Sequence, residues 1–343
     1  MDLIAFNDIC IDSQYSEIPS RSTIDISVNL GRIQLNCPII SANMPDITEG
    51  KMAVEMNSNG GLGIIHRFMS VQDNVEEFEY ALNNIHEAFN HYKIGVSIGV
   101  KDEEKERFDK LYEVGARIFC IDIAHGHTKM MKDMITWILD KKTNDLSIIA
   151  GNVATGNAAL DLAEWGANII KVGLGPGMVC RTRSNTGVGK PQFSAIMEVH
   201  EALKSSKNIK IISDGGIKTA GDVAKALIYS DAVMVGAVLA GTVETPGEVY
   251  AIEGTDLTNR QYYKMYGGSA SAENKIKHGQ TSRFVEGEMR RIPFKGHAKY
   301  LLREIKDGLQ SALSYTGVNN LLDYKKKVKW QIISSAGKTE SKL

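Results

Sequence analysis

The chain has 343 residues, 43% apolar and 24% charged, with a formal net charge of -1. That balance is ordinary for a globular protein with a large core, and nothing in it marks a nucleic-acid binder or a membrane-surface protein. No apolar run approaches the roughly 20 residues that span a bilayer, and Met1 to Cys10 holds Asp2 and Asp8 but no basic residue, so it does not read as a secretory leader.

Short apolar, β-branched runs then recur along the chain. In order they are Cys37 to Ala42, Gly61 to His66, Lys93 to Val100, Arg117 to Ile123, Ser147 to Val153, Asn168 to Gly173, Ile209 to Asp214 and Asp231 to Gly236. Near-continuous apolar strands are buried on both faces, which means a parallel sheet covered by helices. The segments between them have helical spacing. From Val71 to Ala88, for example, Val75, Phe78, Ala81, Leu82 and Ile85 fall on one stripe. Eight β-α units in series predict an α/β fold, a closed (β/α)8 TIM barrel in one domain over residues 1–330, with 331–343 as a tail. An open doubly wound sheet is the alternative.

In a barrel the active site lies at the carboxy-terminal ends of the strands. Here those ends carry Asn43, His66, Asp122, Asn152, the Gly173–Cys180 loop and Asp214-Gly215-Gly216. Two excursions break the rhythm, one from Gly173 to Gln192 and one over about 254–296, and long loops in a compact barrel are usually lids or ligand arms.

The four cysteines, Cys10, Cys37, Cys120 and Cys180, form no C-x-x-C pair, so neither a disulfide framework nor a zinc site is expected. Cys10, Cys37 and Cys120 read as small core residues. Cys180 ends the run Gly173-Leu174-Gly175-Pro176-Gly177-Met178-Val179-Cys180, where three glycines and a proline force a tight, exposed backbone. Arg181 and Arg183 stand beside it, and positive charge favours the nucleophilic thiolate. Read alone, the same segment is equally a buried cysteine next to a structural turn.

Residues 173–192 (GLGPGMVCRTRSNTGVGKPQ) resemble the active-site loop of the inosine monophosphate dehydrogenase and guanosine monophosphate reductase family. The resemblance runs over roughly residues 1–330. It takes in Asn43-Met44, Ile121 to His127 (IDIAHGH), Gly151-Asn152-Val153, Ile211 to Gly216 (IISDGG), Tyr266 to Ser271 (YGGSAS) and Pro293 to Gly296 (PFKG). It implies that Cys180 attacks C2 of a purine nucleotide and that hydride is exchanged with a nicotinamide. Three features are similar to the reductase branch, which converts GMP to IMP with release of ammonia. Asn43 stands where the dehydrogenase usually has alanine. The segment from His66 to Lys93 is too short for an inserted pair of CBS domains. The span from Ser269 to Glu286 is short and has Arg283-Phe284 where the dehydrogenase flap has its water-activating Arg-Tyr pair.

The resemblance also implies roles. Cys180 is the nucleophile, and Thr182 with Glu286 helps ammonia leave. The phosphate sits on Gly215, Gly216, Gly236 and the Gly175–Gly177 loop, and Asp214 holds the ribose. Asn43 joins the substrate side, Gly268 and Ser269 approach the base, and Arg283 lies on the phosphate side or the flap. Asp122 and Ala124 line the nicotinamide pocket, Arg67 faces the phosphates of the dinucleotide, and NADPH is the expected donor. The carbonyls of Gly175, Gly177 and Cys180 are a candidate monovalent-cation (K+) site, and a homotetramer is the expected assembly. His125 and His127 read as polar surface groups rather than metal ligands.

Met178, Arg181 and Gly268 depart from residues common in the family (serine, threonine and methionine, respectively). The rival readings are a dehydrogenase without CBS domains, a nucleotide-binding regulator on a retired barrel, and a phosphate-binding isomerase. Ser341-Lys342-Leu343 is a peroxisomal address in a eukaryote and chance elsewhere, with the cytoplasm as the default.

Overall fold

A computed structural model describes residues 3–85, 94–141, 145–206, 208–252, 261–268 and 287–340. Eight parallel strands close into a barrel: β1 (Ile39–Ser41), β2 (Leu62–Ile65), β3 (Ile94–Ile98), β4 (Ile118–Asp122), β5 (Ser147–Val153), β6 (Ile169–Val172), β7 (Lys210–Asp214) and β8 (Ala232–Val235). All eight fall inside the runs read from the sequence. Their residues are almost all buried, which is why they read as apolar without alternation. Closure comes from β8 pairing with β1, Val233 opposite Ile39 and Val235 opposite Ser41.

Helices α1 (Gly50–Ser58), α2 (Val71–Asn84), α3 (Glu103–Glu113), α4 (Lys129–Asp140) and α5 (Gly156–Glu164) follow strands β1 to β5 in turn. The sixth excursion carries the short α6 (Thr182–Thr186) and then α7 (Gln192–Ala202); α8 (Ala220–Ala226) follows β7. Ser70, Thr128, Thr155 and Thr219 each cap the following helix by accepting a backbone N–H, which fixes where each loop turns back. In α2, Val75, Phe78 and Ala81 are buried as the stripe predicts, whereas Leu82 sits at the edge of the stripe and is exposed. Residues 86–88 of that predicted stripe lie outside the described residues.

The helix paired with β8 is not next in sequence. It is α9 (Ala298–Tyr315), which packs against α8 on one side and α1 on the other. Between β8 and α9 the chain makes an antiparallel sheet of β9 (Tyr250–Ala251), β10 (Tyr262–Gly267) and β11 (Met289–Pro293), with Tyr263 opposite Pro293 and Gly267 opposite Met289. The stretch read as one long loop is therefore partly a β-ribbon, in which Lys264 and Tyr266 are buried on one face of β10 and Met265 is exposed on the other. Residues 253–260 and 269–286 lie outside the description.

The expected tail begins inside a strand. Trp330–Ile332 pairs antiparallel with Ile9–Ile11 near the other end of the chain. Phe6, just before that strand, lies against Gly216, where an added Cβ would come 3.4 Å from its ring. Among the described residues no helix is long and apolar enough to cross a membrane.

Candidate active site

Asp122 and Asp214 are the last residues of β4 and β7, and Asn152 lies near the end of β5. All three face one buried cation that the sequence reading passed over, Lys171 on β6. Its Nζ donates to Asp122 Oδ1 at 2.7 Å, to Asp214 Oδ2 at 3.0 Å and to Asn152 Oδ1. Asn43 completes the set, its Nδ2 donating to Asp122 Oδ2 at 2.9 Å, and Asn152 Nδ2 donates to Asp214 Oδ2 at 2.9 Å. Burial disfavours the charge on Lys171, but Asp122 and Asp214 outweigh it and hold the ammonium well above its usual range. Burial likewise pushes Asp122 up, and Lys171, Arg67 and Asn43 bring it below the usual carboxylate range. The expected cofactor-side residue and the expected ribose residue are thus clamped by one lysine. The signal was a single charge inside an otherwise apolar strand.

Two close approaches build this rim. An added Cβ on Gly151 would lie 2.5 Å from the Lys171 carbonyl oxygen, and one on Gly173 would overlap the Asp214 carbonyl. Only glycine lets β5, β6 and β7 come so near at their ends.

The cysteine loop leaves from Gly173. Cys180 Sγ lies 3.1 Å from Thr182 Oγ1, and its N–H donates to the Gly177 carbonyl at 3.1 Å. Cys180 is half-buried, whereas Cys37 and Cys120 are buried in the core, where burial pushes the Cys37 thiol up to about 12 and raises Cys120 further. Gly215 meets the loop from β7: a Cβ there would be 2.8 Å from Pro176 Cγ and 3.3 Å from the Gly177 nitrogen. The two segments expected to hold phosphate are therefore neighbours. Gly236, at the end of β8, faces the hydroxyl of Tyr266, buried on β10, whose proton is held by burial and by Asp214 and Asp46. Tyr266 is a second rim residue that the sequence reading did not single out.

The antiparallel sheet touches the same loop. Cys180 and Gly287 form an isolated antiparallel bridge, Glu288 N–H donates to the Val179 carbonyl at 3.2 Å, and Gly268 N–H donates to the Glu288 carbonyl at 3.2 Å. Gly268 is thus brought to the cysteine loop. Ser269, Arg283 and Glu286 lie outside the described residues; Glu286 is the residue before Gly287.

The two arginines beside the sulfur turn to other partners. Arg181 donates through Nε to Glu288 at 2.6 Å, and Arg183 donates through Nε to the Gly175 carbonyl at 2.9 Å. Arg181 thus has its charge offset by a carboxylate, whereas Arg183 keeps its charge at a neutral carbonyl. The Arg183 contact also bears on a cation at Gly175, Gly177 and Cys180. Each carbonyl keeps a second lone pair, but the guanidinium at Gly175 opposes further positive charge there.

An open cleft of about 1130 Å³ takes in Ile123, next in sequence to Asp122, and is lined by Arg67, Lys101 and Arg107 among more numerous carboxylates. Arg67 lies over the Phe68 ring at 4.8 Å and 3.6 Å from Glu104, and its Nε is buried with no hydrogen-bond partner among the described residues. Ala124 and His125 are exposed on the loop after β4, and His127 pairs with Asp161 at 2.6 Å. Among the described residues no His, Cys, Asp and Glu cluster could hold a metal ion.

Residues 3–343 match the IMP dehydrogenase / GMP reductase domain. The chain is 35% identical over 336 residues to a GMP reductase of an Acidovorax species, covering 95% of both chains. It is 37% identical over 319 residues to a GMP reductase of Streptococcus pyogenes, covering 92% of this chain and 91% of that one. It is also 32% identical over 398 residues to an inosine-5'-monophosphate dehydrogenase of Borreliella burgdorferi, covering 99% of this chain and 96% of the relative. With the barrel, the rim and the cysteine loop in place, the chain belongs to the IMP dehydrogenase / GMP reductase family of oxidoreductases.

Proposed function

We propose that the chain is a GMP reductase, converting GMP to IMP with release of ammonia. The observation that carries this reading is the Cys180–Thr182 pair, 3.1 Å apart on a loop whose backbone bridges to Gly287, next in sequence to Glu286. Cys180 adds through sulfur to C2 of the purine. The C2–N bond to the amino group breaks, and Thr182 with Glu286 delivers the proton that lets nitrogen leave as ammonia. A nicotinamide, NADPH by resemblance, would supply hydride to C2 when bound; breaking the C–S bond then releases IMP and the thiolate. Asp122, held by Lys171 and Asn43, lines the nicotinamide side. Asp214 takes the ribose hydroxyls, while Gly215, Gly216 and Gly236 offer bare backbone to the phosphate, where barrel loops after the seventh and eighth strands commonly bind it. Asn43, Gly268, Ser269 and Arg283 complete the substrate side, with Arg67 and Ala124 on the cofactor side. The chemistry routes no step through a cation at Gly175, Gly177 and Cys180.

Length supports the reductase over the dehydrogenase. The reductase alignments cover nearly the whole of both chains in 336 and 319 positions, whereas the dehydrogenase alignment needs 398 positions for a chain of 343 residues. A homotetramer is the assembly the resemblance implies. Exposed Tyr250, Ile252 and Tyr262, on and next to β9 and β10, are apolar surface that such an assembly would cover.

A paired assay tests the reading. GMP is incubated with NADPH, and in parallel with NADH, while ammonia and cofactor absorbance are followed; IMP is incubated separately with NAD and potassium. Cofactor oxidation matched by ammonia is the expected result. Appearance of NADH in the IMP arm alone would overturn it in favour of the dehydrogenase.

A further inference from the structure

The proposed chemistry leaves one charged cluster beside the nucleophile without a task. Arg181 follows Cys180 directly, yet its guanidinium turns to Glu288, donating through Nε at 2.6 Å and again through Nη2. The other carboxylate oxygen of Glu288 takes Arg290 from β11. The backbone of Glu288 is engaged as well, its N–H with Val179 and its carbonyl with Gly268. This one residue therefore grips the cysteine loop, β10 and β11 together. The carboxylate is mostly covered, although Arg181 is 55% exposed. The two guanidinium hydrogen bonds, Arg181 first, hold its pKa below the usual carboxylate range, so the carboxylate stays charged at neutral pH.

An isolated surface ion pair does little. This one differs because of the loop it holds. Gly173, Gly175 and Gly177 give the segment before Cys180 few side-chain anchors, so its placement falls to the contacts that remain. Those include Arg183 on the Gly175 carbonyl and Arg181 on Glu288.

We propose that Glu288, clamped between Arg181 and Arg290, is a positioning residue that latches the cysteine loop onto β11 and fixes where Cys180 and Thr182 stand. The inference rests on Cys180 being the nucleophile of the proposed reductase.

The test is a double-mutant cycle on the full chain with Glu288→Gln, Arg181→Gln and the pair together. Two quantities are read: kcat and KM for GMP with NADPH, and the rate at which iodoacetamide alkylates Cys180, followed by mass spectrometry of its peptide. Each single variant is expected to lower kcat roughly 10- to 100-fold, the scale of a small misplacement of a reacting group, with KM for GMP little changed. The Cys180 alkylation rate should shift several-fold in both, and the double variant should be no worse than either single, since one interaction is lost only once. Unchanged kcat and alkylation in Glu288→Gln would overturn the proposal, and so would single effects that simply multiply in the double. If Glu288→Gln alkylates at all four cysteines as denatured protein does, it is unfolded, and Arg181→Gln with Glu288 intact decides the matter by the same two readouts. Alkylation needs no turnover. A wild-type chain silent with GMP but with latch-dependent Cys180 alkylation would remove the reductase reading and keep the latch.

Discussion

Cys180 Sγ and Thr182 Oγ1 stand 3.1 Å apart, two residues along one loop, with the sulfur half-buried and the hydroxyl within reach of whatever bonds to it. Cys180→Ala is expected to abolish turnover while GMP binding survives, measured by steady-state assay and calorimetric titration. Thr182→Ala should lower kcat by roughly 10²- to 10⁴-fold, the contribution of a positioned proton-transfer group. Full activity in the cysteine variant would sink the covalent route.

Lys171 is shared by two carboxylates, so Lys171→Met takes from Asp122 and Asp214 the one cation that both contact. Breaking a buried pair in this way costs about 3–5 kcal/mol. The urea midpoint should drop accordingly, and adding Asp122→Asn should restore part of the loss. A midpoint equal to wild type would show that the network is not coupled as drawn.

Two glycine substitutions should move stability in opposite directions. Gly173→Ala sets a methyl on the Asp214 carbonyl and should give a poorly folded, inactive protein. Gly221→Ala lies in α8 with its nearest neighbour, Thr219 Oγ1, at an ordinary 3.5 Å. It should stabilise by about 0.4–1 kcal/mol, because alanine has fewer unfolded conformations to lose. Thermal melting of both variants settles the comparison.

His200 provides a pH dependence with a defined sign. Burial, with Lys325 adding to it, lowers its pKa below 6.5 in the folded protein. As pH falls through 6.5 the unfolded chain therefore takes up a proton that the folded chain refuses. The stability contributed is complete above 6.5 and is lost as pH falls toward the folded pKa. His200→Gln should flatten the melting temperature across that window. An unaltered slope would mean another group carries it.

The barrel was legible because its strands are buried on both faces and carry little but apolar residues. What sequence missed involves relationships across long separations. Arg181 looks like a charge for the thiol until Glu288, 107 residues away, is seen to take it. Lys171 looks like an oddity within NIIKVG until three strands converge on it. The β10 strand was hidden inside a charged, glycine-containing stretch, and α9 completes the helical ring only after that detour. Of the proposed proton-transfer pair, Thr182 is placed beside Cys180; Glu286, with Ser269 and Arg283, lies outside the described residues, and only its neighbour Gly287 is placed.

The pairing of Ile9 with Ile332 sets an order of events during synthesis. The first strand of that ribbon leaves the ribosome early and has no partner until almost all the rest of the chain has followed. Barrel strands can pair with their neighbours as they emerge, but this contact, of very high sequence separation, cannot. Phe6, one turn before the ribbon, buttresses Gly216 at the expected phosphate turn. The barrel strands can thus pair before the ribbon beside this buttress is closed.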